Sequence, residues 1–98
     1  MIRSFQGITA LVTGASSGIG KAIARELAGQ GAHLILGSRN VQRLEQEAED
    51  LRIRFGVEVS IFPTDLSQPQ NSQKLFEWAL AKGLGVDLLV NNAGLAHY

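Results

Sequence analysis

No cysteine occurs anywhere in this chain, so disulfide scaffolds, thiol catalysis and cysteine metal sites are excluded. Charge of either sign in excess is also missing. Lysine plus arginine and aspartate plus glutamate number nine each, so composition makes no electrostatic case for nucleic acid or a membrane surface. An anion that binds here must be held by a local site. No apolar run approaches the length of a membrane span. Met1 to Gln6 offers no apolar stretch behind a positive start, which is not the form of a signal peptide. Internal repeats, low-complexity segments and linkers are absent too. What is present is one domain's worth of chain: 98 residues, 45% hydrophobic and 18% charged, a globular balance. These absences predict a soluble cytoplasmic protein.

Short apolar runs alternate with helical patterns. Ile8 to Thr13 reads as a buried strand and Gly18 to Gly29 as a helix with Ile19, Ala22, Ile23 and Leu27 on one face. Ala32 to Gly37 is a second strand. Asn40 is placed to cap the next helix, whose stripe is Val41, Leu44, Ala48, Leu51 and Phe55, and Gly56 fits its C-terminal cap. Val57 to Phe62 is a third strand, with Pro63 expected to end its ladder. Ser67 is the expected N-cap of a third helix, with Pro69 in the first turn, an apolar side of Leu75, Phe76, Ala79 and Leu80, and Trp78 on or beside it; Gly83 stops it. Val86 to Val90 is a fourth strand. Strand-helix alternation with continuously apolar strands predicts an α/β fold, a Rossmann-like doubly wound parallel sheet, partial, of four strands in the order 3-2-1-4 with three right-handed helical crossovers.

The first strand-to-helix turn is Thr13-Gly14-Ala15-Ser16-Ser17-Gly18-Ile19-Gly20. Glycines permit a tight turn and let backbone N–H groups approach a phosphate, while the following helix aims its unpaired N–H groups and positive dipole end at the same point. Ser16 and Ser17 add hydroxyls. An ordinary glycine-rich turn is the rival reading; its place after the first buried strand favours a phosphate site. It is no P-loop, because no Lys-Ser or Lys-Thr pair follows the last glycine. The end of strand two discriminates between dinucleotides. An acid there accepts from the 2′-hydroxyl of NAD. Here the residues are Gly37-Ser38-Arg39-Asn40, with no acid between Ala32 and Asn40. Arg39 can pair with a 2′-phosphate and Ser38 can donate to it, although an arginine in a loop can equally be solvated. The reading is NADP(H) in preference to NAD(H).

The T-G-x-x-x-G-x-G turn resembles that of the short-chain dehydrogenase/reductase family, and Asn91-Asn92-Ala93-Gly94 matches that family's second motif. The resemblance runs from Gly7 to Gly94 and implies an NADP-dependent oxidoreductase acting on an alcohol or carbonyl. It implies that Ile19 donates its backbone N–H to the pyrophosphate and that Asp65 and Leu66 face the adenine. It further implies that Thr13 and the Asn91 turn tie strands one and four together beside the cofactor. A turn aspartate bonded to nearby backbone is the plainer reading of Asp65. The combination Thr64-Asp65-Leu66-Ser67 and Gly85 to Gly94 resembles a branch with poorly defined carbonyl substrates.

No catalytic or metal-ligating residue is expected. The family's tyrosine, four positions before a lysine, and its upstream serine are not in this sequence, and Tyr98 is the last residue. The expectation is a single NADP(H)-binding segment over residues 1–98, truncated before the catalytic part and inactive alone. A non-catalytic nucleotide-binding module and an inactive truncated gene product are the alternatives. A bare fourth strand and a second sheet face carrying one helix predict a marginal, aggregation-prone or homo-oligomeric chain. His33 reads as a strand-end residue, and His97 and Tyr98 as terminal ones. Glu45, Glu47, Glu49 and Asp50 read as a mostly solvated face making weak pairs with Arg43, Arg52 and Arg54.

Overall fold

The computed structural model describes residues 4–16, 18–65 and 68–91. The elements are β1 (Thr9–Thr13), α1 (Gly18–Gly29), β2 (His33–Ser38), α2 (Val41–Phe55), β3 (Val59–Pro63), α3 (Pro69–Ala81) and β4 (Leu88–Asn91). The four strands form one parallel sheet in the order β3-β2-β1-β4, as the alternation predicts. Among the described residues no helix is long and apolar enough to cross a membrane.

Alternation of side chains along the strands divides the core into two layers. Ala10, Val12, Leu34, Leu36 and Val59 face α1 and α2, where they meet Ala24, Leu27, Ala28, Leu44, Ala48 and Leu51. Leu11 and Ile35 face the other way and meet Leu75 and Ala79 of α3. Leu34, Ile35 and Leu36 are all buried, because β2 is covered on both faces. β1 is also interior, with Val12 in register with Leu36 on one side and Val90 on the other.

Four local expectations give way to packing. On α1 the buried residues are Gly20, Ala24, Leu27 and Ala28, and Ile19 is 70% exposed. Small residues four apart let the helix axis settle close to the sheet, which turns the bulkier Ile19 outward at the helix start. Pro63 belongs to β3, opposite Ser38, and Thr64 N–H still donates to the Ser38 carbonyl at 2.8 Å. The groups flanking β3 that bond to β2, the Glu58 carbonyl and the Thr64 N–H, both lie at even positions, so the N–H that proline lacks at odd position 63 would have pointed away from β2. Gln68 is the N-cap of α3, with no side-chain cap bond, and Pro69 follows at the first helical position; Ser67 lies outside the described residues. Leu75 and Ala79 are buried, whereas Phe76 and Leu80 are 42% and 60% exposed. One sheet face can cover only the centre of a stripe that wide.

The α2 caps are as expected. The Asn40 side chain accepts from Arg43 N–H at 3.0 Å, and Gly56 adopts φ 68°, donating its N–H to the Arg52 carbonyl. Trp78 rests against Phe62 with ring centroids 5.1 Å apart.

Candidate functional site

Parallel strands deliver their C-terminal ends to one edge of the sheet, and the turn after β1 lies at that edge. Gly14 and Gly18 have φ of 63° and 60°, a left-handed backbone that side chains with a Cβ rarely adopt. That geometry reverses the chain directly from the buried Thr13 into α1. Ala15 N–H donates to the Gly37 carbonyl at 3.3 Å, folding the turn over the end of β2. The first N–H groups of α1, at Gly18, Ile19 and Gly20, have no carbonyl of their own helix to meet and point at this edge.

The Ser16 and Ser38 hydroxyls lie 2.7 Å apart. They join the glycine turn to the end of β2 across 22 residues of sequence. Sequence reasoning named both residues but not their contact, since nothing local relates them. Arg39 follows, exposed, with no ion pair among the described residues. No carboxylate stands in the turn or between β2 and α2. A set of hydroxyls, backbone N–H groups and a guanidinium fits a phosphate ester.

Across β1, the Thr13 hydroxyl lies 3.3 Å from both the Val90 carbonyl and Asn91 Oδ1. β1 and β4 are thus tied at the same edge. Asp65 is half-buried after β3, and its carbonyl accepts from the Asn71 side chain at 2.8 Å and from Gln68 N–H at 3.3 Å. It therefore organises the entry to α3. Ser17, Leu66, Asn92, Ala93 and Gly94 lie outside the described residues.

A charged cluster behind this edge was not foreseen. Glu47 is 4% exposed, not solvated. Arg25 Nε of α1 donates to it at 3.0 Å, Lys21 Nζ lies 3.5 Å away, and Arg25 Nη2 donates to Asp50 at 3.1 Å. The hydrogen bond to Glu47, then the charges of Glu47 and Asp50, push the Arg25 pKa up against the opposing effect of burial. The cluster fixes α1 against α2, and both helices begin at the candidate site. Its signal in the sequence is faint, because the partners lie 22 and 25 residues apart on different helices.

Residues 8–98 match the family model described as short chain dehydrogenase. The chain is 48% identical over 89 residues to Nodulation protein G of a Rhizobium species, covering 91% of this chain and 35% of that protein. It is 39% identical over 93 residues to the very-long-chain 3-oxoacyl-CoA reductase of Podospora anserina, covering 94% of this chain and 27% of that protein. Among solved structures, L-sorbose reductase of Gluconobacter frateurii, complexed with NADPH and L-sorbose, superimposes with a TM-score of 0.87. Identity there is 41%, over 96% of this chain and 36% of that one. The chain thus spans about a third of the length of these proteins. With its parallel sheet, glycine turn and β1–β4 tie all in agreement, the chain belongs to the short-chain dehydrogenase family.

Proposed function

We propose that residues 1–98 form the NADP(H)-binding segment of a reductase that interconverts a carbonyl and an alcohol. The observation that carries the reading is the Ser16–Ser38 hydroxyl pair beside Arg39, at a strand end with no carboxylate. A carboxylate would repel a 2′-phosphate and accept from a 2′-hydroxyl; a guanidinium attracts the phosphate and cannot accept, and a hydroxyl can donate to it. Gly14, Ser16, Ser17, Gly18, Ile19 and Gly20 are assigned to the pyrophosphate through backbone N–H groups and hydroxyls. Ser38 and Arg39 are assigned to the 2′-phosphate, and Asp65 and Leu66 to the adenine. Asn91, Asn92, Ala93 and Gly94 are assigned to the turn beside the cofactor. When bound, the nicotinamide supplies or takes the hydride. This segment's own part is to hold and orient the dinucleotide, and proton transfer belongs to residues outside it. The L-sorbose reductase solved with NADPH supports the choice of dinucleotide, and the acyl-CoA and sugar reductases among its relatives support a carbonyl substrate.

The test is Arg39→Ala with NADPH and NADH titrated separately. A hydrogen bond to a charged group is worth about 1.5–3 kcal/mol, so NADPH should weaken roughly ten- to hundredfold and NADH hardly at all. Equal losses for both nucleotides would sink the assignment.

A further inference from the structure

The described arginines divide by how their charge is met. Arg25 lies against Glu47 and Asp50, Arg52 against Glu49, and Arg54 against Asp50. Lys21, near the start of α1, is drawn to Glu47. Arg39 and Arg43 meet no carboxylate among the described residues, and they stand four positions apart where β2 passes into α2.

The position of Arg43 makes this more than a surplus of surface charge. The first turn of α2 contains no acid, although that is where the helix dipole favours one. Arg43 stands there instead, against the positive end. Glu47 is four residues on, the spacing of an intrahelical ion pair, yet it is buried and turned to α1. Arg43 is exposed. Helical side chains lean toward the N-terminus, which brings its stem back toward Ser38 and Arg39. Its backbone is also fixed, because its N–H is the group that Asn40 caps.

We propose that Arg43 is a second specificity-determining residue for the 2′-phosphate, acting together with Arg39. The inference rests on the NADP(H) reading above and deepens it. A doubly charged phosphate monoester offers more than one guanidinium can neutralise, and two cations without carboxylate partners among the described residues stand within five positions of the end of β2.

The experiment is equilibrium titration of the protein with NADPH, NADH, 2′,5′-ADP and 5′-AMP, comparing Arg43→Ala, Arg43→Gln, Arg39→Ala and the Arg39→Ala/Arg43→Ala double variant. Far-UV circular dichroism checks that each is folded. Both Arg43 variants should weaken NADPH and 2′,5′-ADP about tenfold, leaving NADH and 5′-AMP unchanged, and the double variant should lose the preference for the phosphorylated ligands. Wild-type affinity for 2′,5′-ADP in the Arg43 variants, with Arg39→Ala still losing affinity for the phosphorylated ligands only, would overturn the role of Arg43 alone. If neither arginine separates the phosphorylated from the unphosphorylated ligands, the NADP(H) reading falls with it.

Discussion

The two faces of the sheet are built to different depths. Under α1 and α2 lies a continuous layer from Ala10 and Val12 through Leu34 and Leu36 to Leu44, Ala48 and Leu51. Under α3 the fully buried set is Leu11, Ile35, Leu75 and Ala79, flanked by half-buried Phe62, Trp78, Leu84 and Val86. Phe76, Leu80 and, on β4, Leu89 remain largely exposed. Both faces use the same strands and the same alternation. The difference shows that an apolar stripe records a capacity for burial, while the number of neighbouring helices decides how much of it is used.

The largest effect should separate the faces directly. Leu51→Ala removes a fully buried side chain from the deeper layer and should cost about 2–5 kcal/mol. Leu75→Ala should fall at the lower end of that range, because a partly open layer can relax into the space. Urea unfolding followed by far-UV circular dichroism measures both. Trp78 fluorescence, which reports the α3 face, should shift earlier in Leu75→Ala than the dichroism does if the thin layer opens separately. Equal costs and coincident transitions would show that the faces act as one core.

Next in size is the charged cluster behind the deep face. Arg25→Ala leaves Glu47 buried with Lys21 alone, and the loss should be about 1–3 kcal/mol. The sign of any pH dependence follows from the raised Arg25 pKa: the contribution is complete below the ordinary arginine value and is lost only as pH rises through the higher folded one. Arginine titration should therefore produce no change in this contribution between about pH 6 and 9, measurable as a constant difference in urea midpoint between wild type and Arg25→Ala. The smallest effect is on the open face. Leu80→Ser should change stability by less than about 0.5 kcal/mol while reducing self-association in sedimentation runs. A large loss of stability would mean that Leu80 is covered in the working protein.

Most of the fold was legible because it is written locally. Strand and helix order, the caps at Asn40 and Gly56 and the order 3-2-1-4 follow from periodicity, cap residues and the crossover rule. The glycine turn was legible for the same reason. Ile19, Phe76 and Leu80 were misjudged because exposure depends on which neighbours arrive, and a single helix does not state that. Glu47 reads as a solvated acid because its partners sit on another helix. The Ser16–Ser38 contact is likewise invisible in the sequence, although each residue stands in a motif that points to a phosphate.

The fourth strand carries one more consequence. At its approach, Asp87 N–H donates to the Thr9 carbonyl while Thr9 N–H donates back to the Asp87 carboxylate; at its far end Thr13 meets Asn91. Both ties join residues 78 apart. β1, one of the two interior strands, can therefore be paired on both sides only once the intervening chain is present. Closing so long a loop costs only slowly more than closing a short one, but it cannot happen early. The pairing of β1 with β2 bridges far fewer residues than its pairing with β4, so contact order favours the first and leaves the second to close the sheet.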